Sequence, residues 1–325
     1  MTSSRVRPLG LAFAFGCALA GCGNYSNEDL AFMNAVPSTT QLAVVLPAAS
    51  PAVDEAELAQ TTHNAIAMVN GLLTDVLGLI DAIRTNEPTS RQGDVSRTWG
   101  PFPDATHPGW LWRLIVARDS LDPSTFDYDL EAATSAAPDK WIDFVTGSFD
   151  PAGGSSQGSG SVTADFGALG MAGFPLDSDT MSLSTLTISY QNFRTQGQPI
   201  TVSMTVNRST PDANGVTSAT ISYQLLADGS GQMTFTLVGN IVLGPAIETV
   251  VVTSGWLPSG AGMATLVVQS GDAMGSTQTE CWDATFTAVY NAKPWLTSQD
   301  VGTSDLCPAL PVFPSLPAPS SSGSP

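Results

Sequence analysis

Along this chain the spacing of hydrophobic residues changes once, and the change divides the sequence. Between residues 54 and 84, Leu58, Ala65, Val69, Leu72, Val76, Leu79, Ile80 and Ile83 recur every three or four positions, while Gln60, Asn64, Asp75 and Asp81 fall off the stripe. That spacing gathers the apolar side chains on one face of an α-helix. Asp54, shortly after Pro51, is a candidate cap, and Asn86-Glu87-Pro88 ends the run. The stripe has no basic flank, so it suits a helix packed on a sheet better than one lying on a membrane.

Beyond Arg97 the period becomes two. Residues 110–116, 126–130, 141–149 and 161–166 are the first strand candidates, with a Gly/Ser loop at 153–160 joining the last two. Leu186, Ile188 and Tyr190 then alternate with Thr and Ser, as do Ile200, Val202, Met204 and Val206. Ile221, Tyr223 and Leu225 return across Asp228-Gly229-Ser230-Gly231 as Met233, Phe235 and Leu237. Val250 and Val252 return as Ala264, Leu266 and Val268, and Trp282, Ala284, Phe286, Ala288 and Tyr290 read as the last strand. Tight turns between successive runs make neighbours antiparallel. The expected fold is therefore mainly β (α+β): a long antiparallel meander forming a curved sheet or incomplete barrel, with one amphipathic N-terminal helix packed on it. A two-sheet sandwich is the alternative. An outer-membrane barrel would need lipid-facing aromatic girdles and is disfavoured.

The front of the chain supplies an address. Arg5 and Arg7 precede an apolar run over residues 9–20, the length of a signal peptide rather than a membrane span, and no later segment reads as long and apolar enough to cross a bilayer. The run ends in Leu19-Ala20-Gly21-Cys22, small residues before a cysteine whose thiol can carry diacylglycerol after cleavage. Two or three acyl chains on Cys22 would hold the protein firmly to a membrane without spanning it. Gly23 follows, with no aspartate there to suggest retention in an inner membrane. The expected organisation is a signal peptide at 1–21, a lipid-anchored tether at 22–53, a helix-plus-β domain at 54–307 and a disordered or loosely draped Pro/Ser-rich tail at 308–325. Within the tether, residues 27–33 can form a short helical turn capped by Ser26 or Asn27, docking the start of the domain near the bilayer.

Charge narrows the partners. The net charge is −18 over 325 residues, and loss of Arg5 and Arg7 with the signal, which holds no acid, makes it −20. Such a surface repels nucleic acid and anionic headgroups. Charged residues make up only 12% of the chain, so Ser, Thr, Gly, Asn and Gln must cover much of the surface, as in exported β proteins. Of four cysteines, Cys17 leaves with the signal and Cys22 takes the lipid. Cys281 and Cys307 remain, and they are expected to form a disulfide in an oxidising compartment.

Candidate chemistry is sparse. His63 falls on the helix and His107 in the loop before Trp110, without a second ligand at zinc spacing. No nucleophile-elbow motif accompanies either. Asp127 and Asp129 share a strand face, where paired carboxylates serve glycosidases or calcium, and Asp177-Ser178-Asp179 carries a weaker calcium signal. Solvated surface acids explain both sets more simply. Trp99, Trp110, Trp112, Trp141, Trp256, Trp282 and Trp295 can line a carbohydrate or lipid pocket, or simply fill the core. The expectation is no catalytic residue, no metal and no cofactor.

Tyr25-Ser26-Asn27-Glu28-Asp29-Leu30-Ala31-Phe32-Met33 behind the lipobox, and Glu280-Cys281-Trp282-Asp283 followed by Phe286 and Tyr290, resemble the ends of uncharacterised predicted lipoproteins of myxobacterial type. The resemblance implies an address and no activity. The expected function is a non-catalytic, lipid-anchored envelope protein, outer-membrane bound, holding an apolar small molecule or lipid. An assembly partner of an envelope complex is the alternative, followed by a hydrolase of envelope polymers using His107 or Asp127.

Overall fold

The computed structural model describes residues 25–47, 55–151, 157–177, 180–193, 197–241, 244–294 and 301–315. Cys22, Asp54, Trp295, Ser178 and Asp179 lie outside them, as do the signal region, residues 153–156 of the Gly/Ser loop and residues 316–325 of the tail.

Among the described residues, fifteen antiparallel strands form a single curved, unclosed sheet in strict chain order. They are β1 Ser90–Gln92, β2 Ser96–Pro103, β3 Trp110–Arg118, β4 Phe126–Thr134, β5 Ile142–Asp150, β6 Gly158–Asp165, β7 Leu183–Asn192, β8 Ile200–Arg208, β9 Val216–Leu225, β10 Gly231–Gly239, β11 Glu248–Trp256, β12 Gly262–Ser270, β13 Thr277–Trp282, β14 Ala288–Ala292 and β15 Val301–Gly302. One sheet, not a two-sheet sandwich, accounts for all the alternation, because each short turn returns the chain beside the strand it left. The edge strands β1 and β15 are three and two residues long, too short to template pairing with another chain.

Among the described residues, four α-helices accompany the sheet: α1 Asn27–Asn34, α2 Thr39–Leu42, α3 Glu57–Arg84 and α4 Phe166–Met171. The apolar stripe of α3 is buried in the concavity, with Val69, Val76, Leu77 and Ile80 wholly inaccessible. By length and composition α3 could cross a membrane, which corrects the sequence expectation that no segment after the signal could. Packing against the sheet is what gives it its place here. Its backbone approaches β2 and β3 on one side and β11, β12 and β13 on the other, so it spans the gap between the first and last strands of the open sheet.

The large inward side chains fit because glycines make room opposite them. A Cβ on Gly147 would lie 2.2 Å from Tyr128 Cζ, and one on Gly231 would lie 2.4 Å from Trp256 Cε2. On the outer face, Thr146, Thr163, Thr187, Thr205, Thr220 and Thr236 stand directly opposite one another across β5–β10. This hydroxyl row is the wet side that the alternation required.

Three expectations need correction. Residues 25–47, read as part of a tether, belong to the folded body: Phe32, Val36, Leu42 and Val44 are buried, Arg84 Nη1 donates to the carbonyls of Met33 and Val36, and Asn70 pairs with both backbone groups of Val44. The run from Trp282 to Tyr290 is not one strand. The Asp283 carboxylate accepts N–H bonds from Thr285 and Thr287, and Phe286 turns at φ +63°, its ring buried and its carbonyl accepting the Ala56 N–H at 2.8 Å. Finally, residues 308–315 run over the sheet: Pro314 O accepts from Gln224 Nε2 at 2.8 Å, and Leu310 lies over Gly255. The expected disulfide joins Cys281 to Cys307, so the segment starts from a fixed point on β13.

Candidate functional site

The two quoted motifs turn out to be structural clasps. Ser26 caps α1 in a reciprocal box with Asp29, whose carboxylate also accepts from Arg97 Nε at 2.6 Å and Arg91 Nε at 3.2 Å. Arg97 in turn lies over the Phe32 ring at 4.6 Å. At the other end, Glu280 accepts the Leu58 N–H at the start of α3, and Trp282 donates to Gly260 O at 3.0 Å. His63 is paired with Glu55 and packed against the Phe286 ring, far along α3 from His107.

His107 occupies a different setting. The β2–β3 connection turns on Asp104, which is 3% exposed and accepts the backbone N–H groups of Thr106 and His107 at 2.8 and 2.9 Å. Its other oxygen accepts Trp112 Nε1–H at 2.9 Å and meets His107 Nδ1 at 3.0 Å. Burial pushes the Asp104 carboxyl up, but the hydrogen bonds from Trp112, His107 and Thr106 outweigh it and leave the group below its ordinary value. An ionised carboxylate only accepts, so the proton in that contact belongs to Nδ1. Nε2 is the nitrogen left over, and among the described residues no group hydrogen-bonds it.

The Phe174 ring lies 4.7 Å from His107 and meets Trp110 and Trp112 edge-on. Phe144 reaches the same space through a bulge: Leu130 pairs with Val145 and Glu131 with Asp143, so Phe144 is the extra residue and both it and Val145 point inward. Phe166 and Leu169 come from α4, whose first turn is capped by Asp165, and Leu79 and Asp75 come from α3. Together they line a half-open pocket of about 210 Å³ with aromatic walls and one polar corner. Asp177 stands at that corner and accepts Thr180 N–H and Oγ1–H at 2.9 and 2.8 Å.

Sequence reasoning placed His107 here but missed Asp104, Phe144, Phe166, Leu169 and Phe174. The Asp-x-x-His spacing was a local signal for the first. The others meet only through the bulge and through α4, a short helix of which the strand expected at 161–166 takes in only the first residue, Phe166. Of the tryptophans, Trp112 lines the pocket and Trp110 backs it, while Trp99, Trp256 and Trp282 are core. Trp141 lies on the outer face beneath the Arg113 guanidinium, 4.1 Å away.

Asp127 and Asp129, the carboxylates considered for glycosidase or calcium chemistry, lie on one strand, Asp127 exposed and Asp129 partly buried. Asp129 groups with Glu131 and Asp143 on the outer face, their carboxylate oxygens within 4.8 Å of one another. These three could hold a cation, but Arg113 already binds Glu131 and supplies positive charge. Burial, then the charges of Asp143 and Glu131, push Asp129 up to about 7 against the pull of Arg113. The folded state therefore binds a proton here that the unfolded chain releases, and stability falls as pH rises from about 4 through 7. Asp129→Asn is expected to stabilise the fold at pH 8 by roughly 1–2 kcal/mol, discounted for partial exposure, and to be neutral at pH 4. Urea titration at the two pH values checks this, and equal effects at both would remove the explanation.

Compared with known proteins, the chain matches no family model, no curated protein and no solved structure.

Proposed function

We propose that this chain is an envelope lipoprotein tethered through Cys22, whose pocket beside α3 holds a small apolar ligand without transforming it. The observation carrying this reading is the pocket itself, with its aromatic walls and a histidine fixed by a buried carboxylate. Concave apolar sites with a few placed polar groups are the usual form of ligand sites. The lipobox and the low charge support an exported address, as does the Cys281–Cys307 disulfide, a bond that persists in oxidising compartments. Size restricts the ligand. Pockets for drug-sized molecules run from about 300 Å³ upward, so this one takes a single ring or the tip of a chain rather than a whole lipid.

The test uses the full chain carrying Cys22→Ser, which removes the acylation site and with it the need for detergent. Toluene, followed by calorimetry, is expected to bind at about 1 mM or tighter. Leu169→Trp, which fills the pocket, is expected to abolish binding while leaving the thermal midpoint within a few degrees. If toluene fails to bind the unsubstituted pocket, the ligand reading falls, and the assembly-partner reading is then tested by cross-linking in cells.

A further inference from the structure

We propose that the pocket selects a neutral monocyclic ring bearing one hydroxyl, a phenol, whose O–H donates to Nε2 of His107. This deepens the ligand reading above and rests on it. Three observations lead to it.

The first is volume. An apolar cavity of about 150 Å³ is enough for benzene. At about 210 Å³ this pocket takes a ring with one or two further heavy atoms. The second is the wall. Phe144, Phe166, Phe174 and Trp112 already meet one another edge-on or tilted, at centroid separations of 5.3 to 5.8 Å. Another aromatic ring continues that arrangement, whereas a flexible chain gains nothing from it.

The third is the polar corner. Hydrogen-bonded to the buried Asp104 carboxylate, the neutral imidazole of His107 carries its proton on Nδ1, and in that form Nε2 is a lone-pair acceptor. Among the described residues, the charged groups lining the pocket are Asp75 from α3 and Asp177 from the segment after α4, with Asp104 behind the histidine, and no lysine or arginine lines it. A carboxylate or phosphate is repelled by that set. The Asp75 and Asp177 carboxylates and the aromatic faces would also attract an ammonium, so benzylamine is the competitor that must be separated from phenol. A hydroxyl needs only one acceptor, and one is there.

Phenol and toluene are close to isosteric, so the pair isolates the hydroxyl. In the full chain carrying Cys22→Ser, both are expected to bind. His107→Phe keeps a ring and removes the acceptor. It is expected to weaken phenol about tenfold while leaving toluene within about twofold. Asp104→Asn tests positioning: the ¹⁵N spectrum of the imidazole should show the Nδ1–H tautomer of His107 in the parent and lose it in the variant, with weaker phenol binding. The inference is overturned, and the ligand reading left standing, if His107→Phe weakens both ligands equally or neither. It is also overturned if anisole, which cannot donate, matches phenol, or if benzylamine binds more tightly. Failure of both phenol and toluene to bind the parent removes inference and reading together. Should His107→Phe not fold, His107→Leu, which also lacks an acceptor, carries the same comparison.

Discussion

Replacing Asp29 by alanine is expected to cost about 3–5 kcal/mol of folding stability at pH 7, the range for removing one partner of a buried ion pair. Asp29 is 1% exposed and Arg97 3%, so the substitution strands a guanidinium away from water. Arg97 keeps bonds to Gly93 O and Ser96 O, which places the effect toward the lower end of the range. Asp29→Asn, which preserves shape and the α1 cap but not the charge, should fall between parent and alanine. Acid gives an independent check. Burial pushes the Asp29 carboxyl up, but the bonds from Arg97, Ser26 and Arg91 more than offset this and leave it at about 2. A carboxyl lowered by folding contributes above its unfolded value near 4 and loses that contribution as pH falls through 2. Urea midpoints of parent and Asp29→Ala should therefore differ widely at pH 7 and converge near pH 2. A constant difference would mean that the ion pair is not the cause.

Glu280→Ala is the second large effect expected, a loss of roughly 2–4 kcal/mol. The residue before α3, Ala56, offers no side-chain cap, and the acceptor at the helix start comes instead from β13. Glu280 is 1% exposed, and its second oxygen accepts Asn291 Nδ2–H at 2.9 Å. Alanine leaves both donors without their acceptor, one of them at the start of the helix. Hydrogen exchange localises the loss: the Leu58 and Ala59 amides should exchange faster than the middle of α3. Glu280→Gln, which keeps an acceptor oxygen, should recover part of the stability. A change under about 0.5 kcal/mol in Glu280→Ala would place the cap elsewhere.

What the sequence revealed and what it hid follow from the range of each interaction. Strands β3 to β12 were legible because alternation is local and the turns between them are short. The α3 stripe was legible for the same reason. Strands β1 and β2 were not: Ser90–Gln92 is wholly exposed, and Ser96 and Arg97 are polar residues buried by the α1 clasp. Asp29 looked like one surface acid among many, since its partners lie 62 and 68 residues away. The break at Phe286 escaped because a buried aromatic with positive φ continues the alternating pattern while leaving the strand. At the site, His107 was visible and Asp104 was within local reach. The aromatic box was not, because it is assembled from α3, β3, β5 and α4 by a bulge that leaves no mark on composition.

Pairing only successive neighbours, the sheet could in principle lengthen step by step as residues leave the ribosome. The bond from Leu58 to Glu280 changes that, since its ends are 222 residues apart. An early helix waits for a late strand, and a nascent product truncated before β13 keeps α3 with its first turn unmet and one flank bare. Assembly proceeds by local increments but completes in a single closing event, so unfinished copies should be readily distinguished by proteases from finished ones.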